Sequence, residues 1–177
     1  EHEASVDGLN AYREAIENSV KAGMRPNTLF GGYFSIIMSL FGLNGFGNGV
    51  GYGEWRDSGY HKGGTAATRI YMLKLHRYID SAAAQSLIER DPEYFGNDTE
   101  ILAGYVESGV SLVKMELNEA LDHFMECRYQ ELEFVSRSEL YDVVKELGET
   151  LEHLKAIGPL EEEKYGASLG RWIQAVK

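Results

Sequence analysis

Cysteine and proline are scarce in this 177-residue chain: one cysteine, Cys127, and three prolines, Pro26, Pro92 and Pro159. A single thiol closes no disulfide within the chain, so a disulfide-stapled scaffold is excluded and a reducing, cytoplasmic compartment is expected. No charged-then-apolar leader is visible at the start of the chain. Long apolar runs are missing too. The best one, "TLFGGYFSIIMSLF" over residues 28–41, has fourteen residues, short of the about 20 that span a bilayer, so no membrane partner is expected. Basic residues are scarce in the second half. Residues 1–90 hold nine acids and nine bases, whereas residues 91–177 hold 19 acids and eight bases and so carry the whole net charge of −11. Phosphate backbones are repelled by such a half, which excludes a broad nucleic-acid surface and leaves a basic protein partner as the complementary class.

Familiar chemical signatures are absent as well. The glycine-rich stretch "GFGNGVGYG", residues 45–53, places glycine at every second position. A dinucleotide fingerprint needs G-x-G-x-x-G. Counting from Gly45, Gly47 or Gly49, the sixth residue is Val50, Tyr52 or Glu54, so the pattern fails. The phosphate-cradling G-x-x-x-x-G-K-[ST], the G-x-S-x-G elbow and zinc spacings do not occur, and no Cys–His pair stands out. No cofactor is indicated and no metal site is expected. His61 with Glu54 and Asp57 is only a loose grouping of possible ligands, and Cys127, in mid-helix, reads as a structural or surface thiol.

Helical periodicity is what the chain has in abundance. Apolar residues make up 44% of it and charged residues 25%, an ordinary globular balance. Residues 5–22 start at a Ser5 or Asp7 cap and carry Leu9, Tyr12, Ile16 and Val20 at helical spacing. Residues 28–41 read as a central buried helix. The segment 42–64 has nine glycines in 23 residues, a density that no helix tolerates. A long helix is then predicted from a Thr65 cap to Arg90, and a second from about Thr99 to Phe134, kinked at Gly104 and Gly109. In the second, Glu116, Glu119, His123, Glu126, Gln130 and Glu133 share a polar face opposite an apolar stripe that includes Leu117, Leu121 and Phe124. Ser136 with Glu139 resembles a capping box opening a helix that carries Leu140, Val143, Val144, Leu147, Leu151 and Leu154, and residues 160–176 are expected to form a last helix. The expectation is an all-α fold: one helical domain over 1–177, a bundle of five to six helices with a long Gly/aromatic-rich loop at about 42–64.

That loop is where function is expected to sit. It exceeds the about 12–15 residues of an ordinary connection, and it holds Phe46, Tyr52, Trp55 and Tyr60, which suit a packed segment better than slack chain. Between Arg56 and Arg77 lie five bases and one acid. Gly63, Gly64 and Thr65 at a helix start offer free N–H groups to an anion. The expected ligand is therefore a small anionic or phosphate-bearing molecule or a nucleotide. Arg56, Lys62 and Arg69 would hold the charge, and Tyr52, Trp55 or Tyr60 would stack on any ring. His61 and His76 are the groups there with a pKa near neutrality, and if the site is catalytic one of them is the expected proton-transfer group. The competing class is an acidic interaction protein, an inhibitor or assembly subunit, that binds a basic protein partner through residues 91–177.

The stretch "RIYMLKLH", Arg69 to His76, has Arg-x6-His spacing and resembles the motif of the HEPN ribonucleases. That resemblance implies an all-helical, metal-independent enzyme in which Arg69 binds the scissile phosphate and His76 acts as general base or acid. The "GFGNGVGYG" stretch itself reads as a tight extended segment with its glycine edge against a helix.

Overall fold

The computed structural model describes residues 4–29, 31–47 and 69–177. Helix dominates these residues, as expected of an all-α class, and only two small two-stranded sheets accompany it. The helical segments outnumber the five to six expected, because turns divide segments that read as continuous. The chain divides into two compact units, Glu1–Asn48 with Glu131–Lys177, and Gly49–Gln130.

In the first unit, helix α1 (Val6–Lys21) starts where the sequence places it, with the Ser5 hydroxyl accepting from the Gly8 N–H. Its face Leu9 and Ile16 is buried. The apolar run 28–41 is buried as expected but is not one helix. Strand β1 (Asn27–Thr28) comes first, then α2 (Tyr33–Ile37), which tightens into a 3-10 turn at Met38–Phe41. Helix α7 (Leu140–Ile157) follows, and its cap differs from the predicted one. Asp142 reaches back to accept from the Glu139 N–H, while Ser136 donates to the carbonyl of Glu133 inside the preceding helix. After a short helix α8 (Pro159–Glu161) and a wide turn at Glu162–Gly166, α9 (Ala167–Val176) packs on α1 and α7. The buried side chains here include Tyr33, Phe34, Ile37, Val143, Leu147, Leu154, Leu169 and Trp172.

Strand β2 (Gly45–Phe46) pairs in parallel with β1. The described part of the glycine-rich stretch is thus extended, as expected, but its glycine edge meets a strand rather than a helix. A Cβ on Gly45 would fall 2.7 Å from Asn27 Oδ1, and one on Gly47 would fall 2.8 Å from the Leu29 carbonyl oxygen. The backbone carbonyl cannot swing away as a side chain can. Gly47→Ala is expected to pry this pairing apart and cost about 1–3 kcal/mol, read as a fall in the denaturation midpoint. An unchanged midpoint overturns the close-approach argument.

In the second unit the long helix predicted from residue 65 is not found from residue 69 onward. Strands β3 (Arg69–Met72) and β4 (Arg77–Asp80) form an antiparallel hairpin, and helix α3 (Ser81–Arg90) begins only after Asp80, whose side chain caps it. Ile70 pairs with Ile79 and Tyr71 with Tyr78, β-branched and aromatic residues that favour a pleated surface. The Tyr71 and Tyr78 rings meet edge to face with centroids 5.1 Å apart. A 3-10 turn and His76 in the left-handed region, φ 52°, close the hairpin. Helix α4 (Pro92–Phe95) and α5 (Glu100–Ser108) come next. Gly109, at φ 66°, ends α5 outright instead of kinking it. The chain then makes a 3-10 turn at Leu112–Lys114 before helix α6 (Leu117–Arg137). That interruption separates the stripe of α5 from that of α6, so the two do not share one continuous face.

Candidate functional site

Of the residues expected to hold an anionic ligand, Tyr52, Trp55, Arg56, Tyr60, Lys62, Gly63, Gly64 and Thr65 lie outside the described residues, as does His61. Arg69 and His76 are described. Arg69 is exposed at the open end of the hairpin, and His76 is buried in its turn. A four-residue strand sets the two at opposite ends, about 10 Å of backbone apart. The eight residues that resemble the HEPN motif therefore lie on a hairpin and not along a helix. No group of three His, Cys, Asp or Glu side chains among the described residues is placed to hold a metal ion.

The expected polar face of α6 is broken by His123, which is fully buried. The buried face runs Ala120, His123, Phe124, Cys127 and Arg128. His123 Nε2 lies 2.7 Å from the Tyr71 carbonyl oxygen, and Nδ1 lies 2.7 Å from Thr99 Oγ1. A carbonyl only accepts, so Nε2 carries the proton and the neutral Nδ1 accepts from the Thr99 hydroxyl. Thr99 Oγ1 in turn accepts the Leu102 N–H as the cap of α5. One imidazole thereby ties α6 to β3 and to the start of α5. Burial holds its pKa below the ordinary 6.5, opposed by the bond to Tyr71.

Cys127 stands one turn along, its sulfur 3.7 Å from His123 Nε2 and 3.8 Å from Nδ1. A Cys–His pair is thus present after all, in the i, i+4 spacing His123-x3-Cys127, which was legible in the sequence. Near-equal distances to two nitrogens that already have partners do not describe a thiol–imidazole proton-transfer pair. Cys127 is buried beside Phe124 and Tyr71, and the Arg128 guanidinium lies over both rings, 5.1 Å and 5.2 Å from their centroids. This is a packed tie, closed to a substrate.

A ridge of α6 beside this buried face is different. Leu117 is 60% exposed, Met125 52% and Tyr129 65%, with Leu121 half-buried between them. Spaced four apart, these residues form one ridge along the helix. The next ridge is Asn118, Asp122, Glu126 and Gln130. An apolar ridge therefore borders one that carries two carboxylates. Leu117 and Leu121 belong to the expected apolar stripe, but Leu117 is exposed and Leu121 only half-buried, while the helix turns His123 and Cys127 inward instead. Near the start of the helix, Glu119 accepts from Tyr105 Oη at 2.6 Å and from the Glu116 N–H at 3.0 Å. These bonds hold the Glu119 carboxyl below its usual pKa, and the same bond raises that of Tyr105.

Comparison with protein-family models, with curated proteins and with solved structures finds no match for the chain. Among the described residues, no helix is long and apolar enough to cross a membrane.

Proposed function

We propose that the chain is an interaction protein that docks a basic amphipathic helix of a protein partner on the outer face of α6. The observation that carries this reading is the ridge of exposed Leu117, Met125 and Tyr129 with half-buried Leu121, beside Asp122 and Glu126. Water-exposed Leu, Met and Tyr in one row offer apolar area and adaptable packing to a second helix. The neighbouring carboxylates favour lysine or arginine along that helix and repel an acidic one, which sets orientation and partner choice. The surplus of 19 acids over eight bases in residues 91–177 extends the same preference over a longer range. The exposure of Leu117, Met125 and Tyr129 in one row with carboxylates beside it supports this docking reading.

A Leu/Lys amphipathic peptide of about 18 residues tests it, with a Leu/Glu counterpart as control. The Leu/Lys peptide is expected to bind, with affinity that falls as salt rises. Met125→Asp is expected to weaken it at least tenfold, and the pair Asp122→Asn and Glu126→Gln to weaken it about threefold to tenfold while flattening the salt dependence. Equal binding of the two peptides, or wild-type affinity in Met125→Asp, overturns the reading. Each substitution lies on an exposed or half-exposed position, so the fold is retained.

A further inference from the structure

The unit Gly49–Gln130 also contains a groove of about 190 Å³, half open to solvent, between α3, the start of α4, α5 and the turn that follows Gly109. That volume is the share of about six liquid waters, the scale of a short hydrocarbon ligand. Its floor is apolar: Ile88 from α3, Val106 from α5 and Leu112 beyond the turn. Gly109 lines it and reverses the chain so that residues 110–112 return toward α3. Ser111 Oγ, donating to Gln85 Oε1 at 2.6 Å, braces that return.

The polar groups on the lining are largely committed. Gln85 Oε1 accepts from Ser111, and Gln85 Nε2 donates to Glu89 Oε1 at 2.9 Å. Tyr105 spends its hydroxyl proton on Glu119. Two properties are left for an occupant. Glu89 supplies the formal charge on the groove wall, and it is negative. The Tyr105 ring supplies π electrons, made richer because its hydroxyl donates to a carboxylate. Among the described residues, no lysine or arginine lines the groove to attract an anion.

We infer that this groove binds a small organic ammonium ion, with its hydrocarbon part on Ile88, Val106 and Leu112 and its charge at Glu89 and Tyr105. The floor contributes by removing apolar area from water. The carboxylate and ring then select the cation over a neutral or anionic molecule of the same shape. The site shares no residue with the α6 ridge and stands independently of the docking reading.

Hexylammonium, hexanol and hexanoate form a matched set of probes, to be titrated into the full chain with binding followed calorimetrically. Hexylammonium is expected to bind at least tenfold more tightly than hexanol, and hexanoate more weakly than either. Glu89→Gln, which keeps an acceptor for Gln85, is expected to bring hexylammonium down to the level of hexanol. Val106→Trp fills the groove from a half-exposed position and is expected to abolish binding of all three while circular dichroism and the Leu/Lys peptide affinity stay unchanged. Equal binding of ammonium and alcohol, no binding at all, or binding that survives Val106→Trp overturns the inference.

Discussion

Replacing His123 by alanine is expected to cost about 3–5 kcal/mol of stability, from lost packing and from two buried hydrogen bonds. The Tyr71 carbonyl and the Thr99 hydroxyl both lose a partner that sits 2.7 Å away. For a chain of this length that corresponds to a drop of roughly 6–20 °C in melting midpoint. The single cysteine supplies an independent readout. Cys127 is fully buried next to the histidine, so a thiol reagent is expected to react slowly with wild type and much faster with His123→Ala. The pH dependence has a definite sign. The folded-state pKa of His123 is depressed, so the unfolded chain takes up a proton more readily. The stability associated with the neutral ring is complete above about pH 6.5 and falls as pH drops below that value, levelling off below the folded pKa. The steepest slope one such group provides is about 1.4 kcal/mol per pH unit. His123→Gln separates the two roles. It retains a donor for the Tyr71 carbonyl and cannot titrate, so it is expected to cost less than alanine and to flatten the decline below pH 6.5. An unchanged slope in His123→Gln would assign the pH dependence to other groups.

Trp172→Ala is the second large effect, expected at about 3–5 kcal/mol in the unit built from both ends of the chain. Trp172 is fully buried and is the largest such side chain among the described residues. Its ring meets Tyr33 with centroids 6.0 Å apart and Phe34 at 6.3 Å, which joins α9 to α2. Removing it leaves a void that the surrounding helices fill only in part, and the cost grows with that void. Phenylalanine at this position keeps a ring against Tyr33 and Phe34 and is expected to cost about half as much or less. Denaturant unfolding followed by circular dichroism measures both, since Trp172 is one of two tryptophans and its fluorescence is lost in either variant. A Trp172→Ala cost under about 1 kcal/mol would show that the ring is not central to this core.

The elements most legible in the sequence carry their own start and stop chemistry. α1 has the Ser5 cap and a regular stripe, and α7 has Leu140, Val143, Leu147, Leu151 and Leu154 at an unbroken helical period. The burial of Tyr33 through Met38 followed from an apolar run too short for a membrane. The hairpin at residues 69–80 looks helical in the sequence for a physical reason. Ile70, Tyr71, Tyr78 and Ile79 suit a strand, but the intervening "MLKLHR" is equally good helix, and the choice is made by cross-strand pairing. The candidate site was hidden by a similar ambiguity. Leu117, Leu121, Phe124 and Leu132 fit one stripe by spacing, whereas packing of α6 on its neighbours buries Phe124 with His123 and Cys127 and leaves Leu117, Met125 and Tyr129 exposed.

Composition, charge and periodicity therefore determined the helical class, the absence of a disulfide within the chain and the acidic second half, because these are sums over residues that do not depend on neighbours in space. Which face of α6 turns inward, the burial of His123 against Tyr71 and Thr99, and the groove behind Gly109 were decided by tertiary packing. Each depends on partners 24 to 52 residues away along the chain or on one backbone angle at a glycine. Neither is written in local spacing, and both change which side chains remain at the surface for a partner to meet.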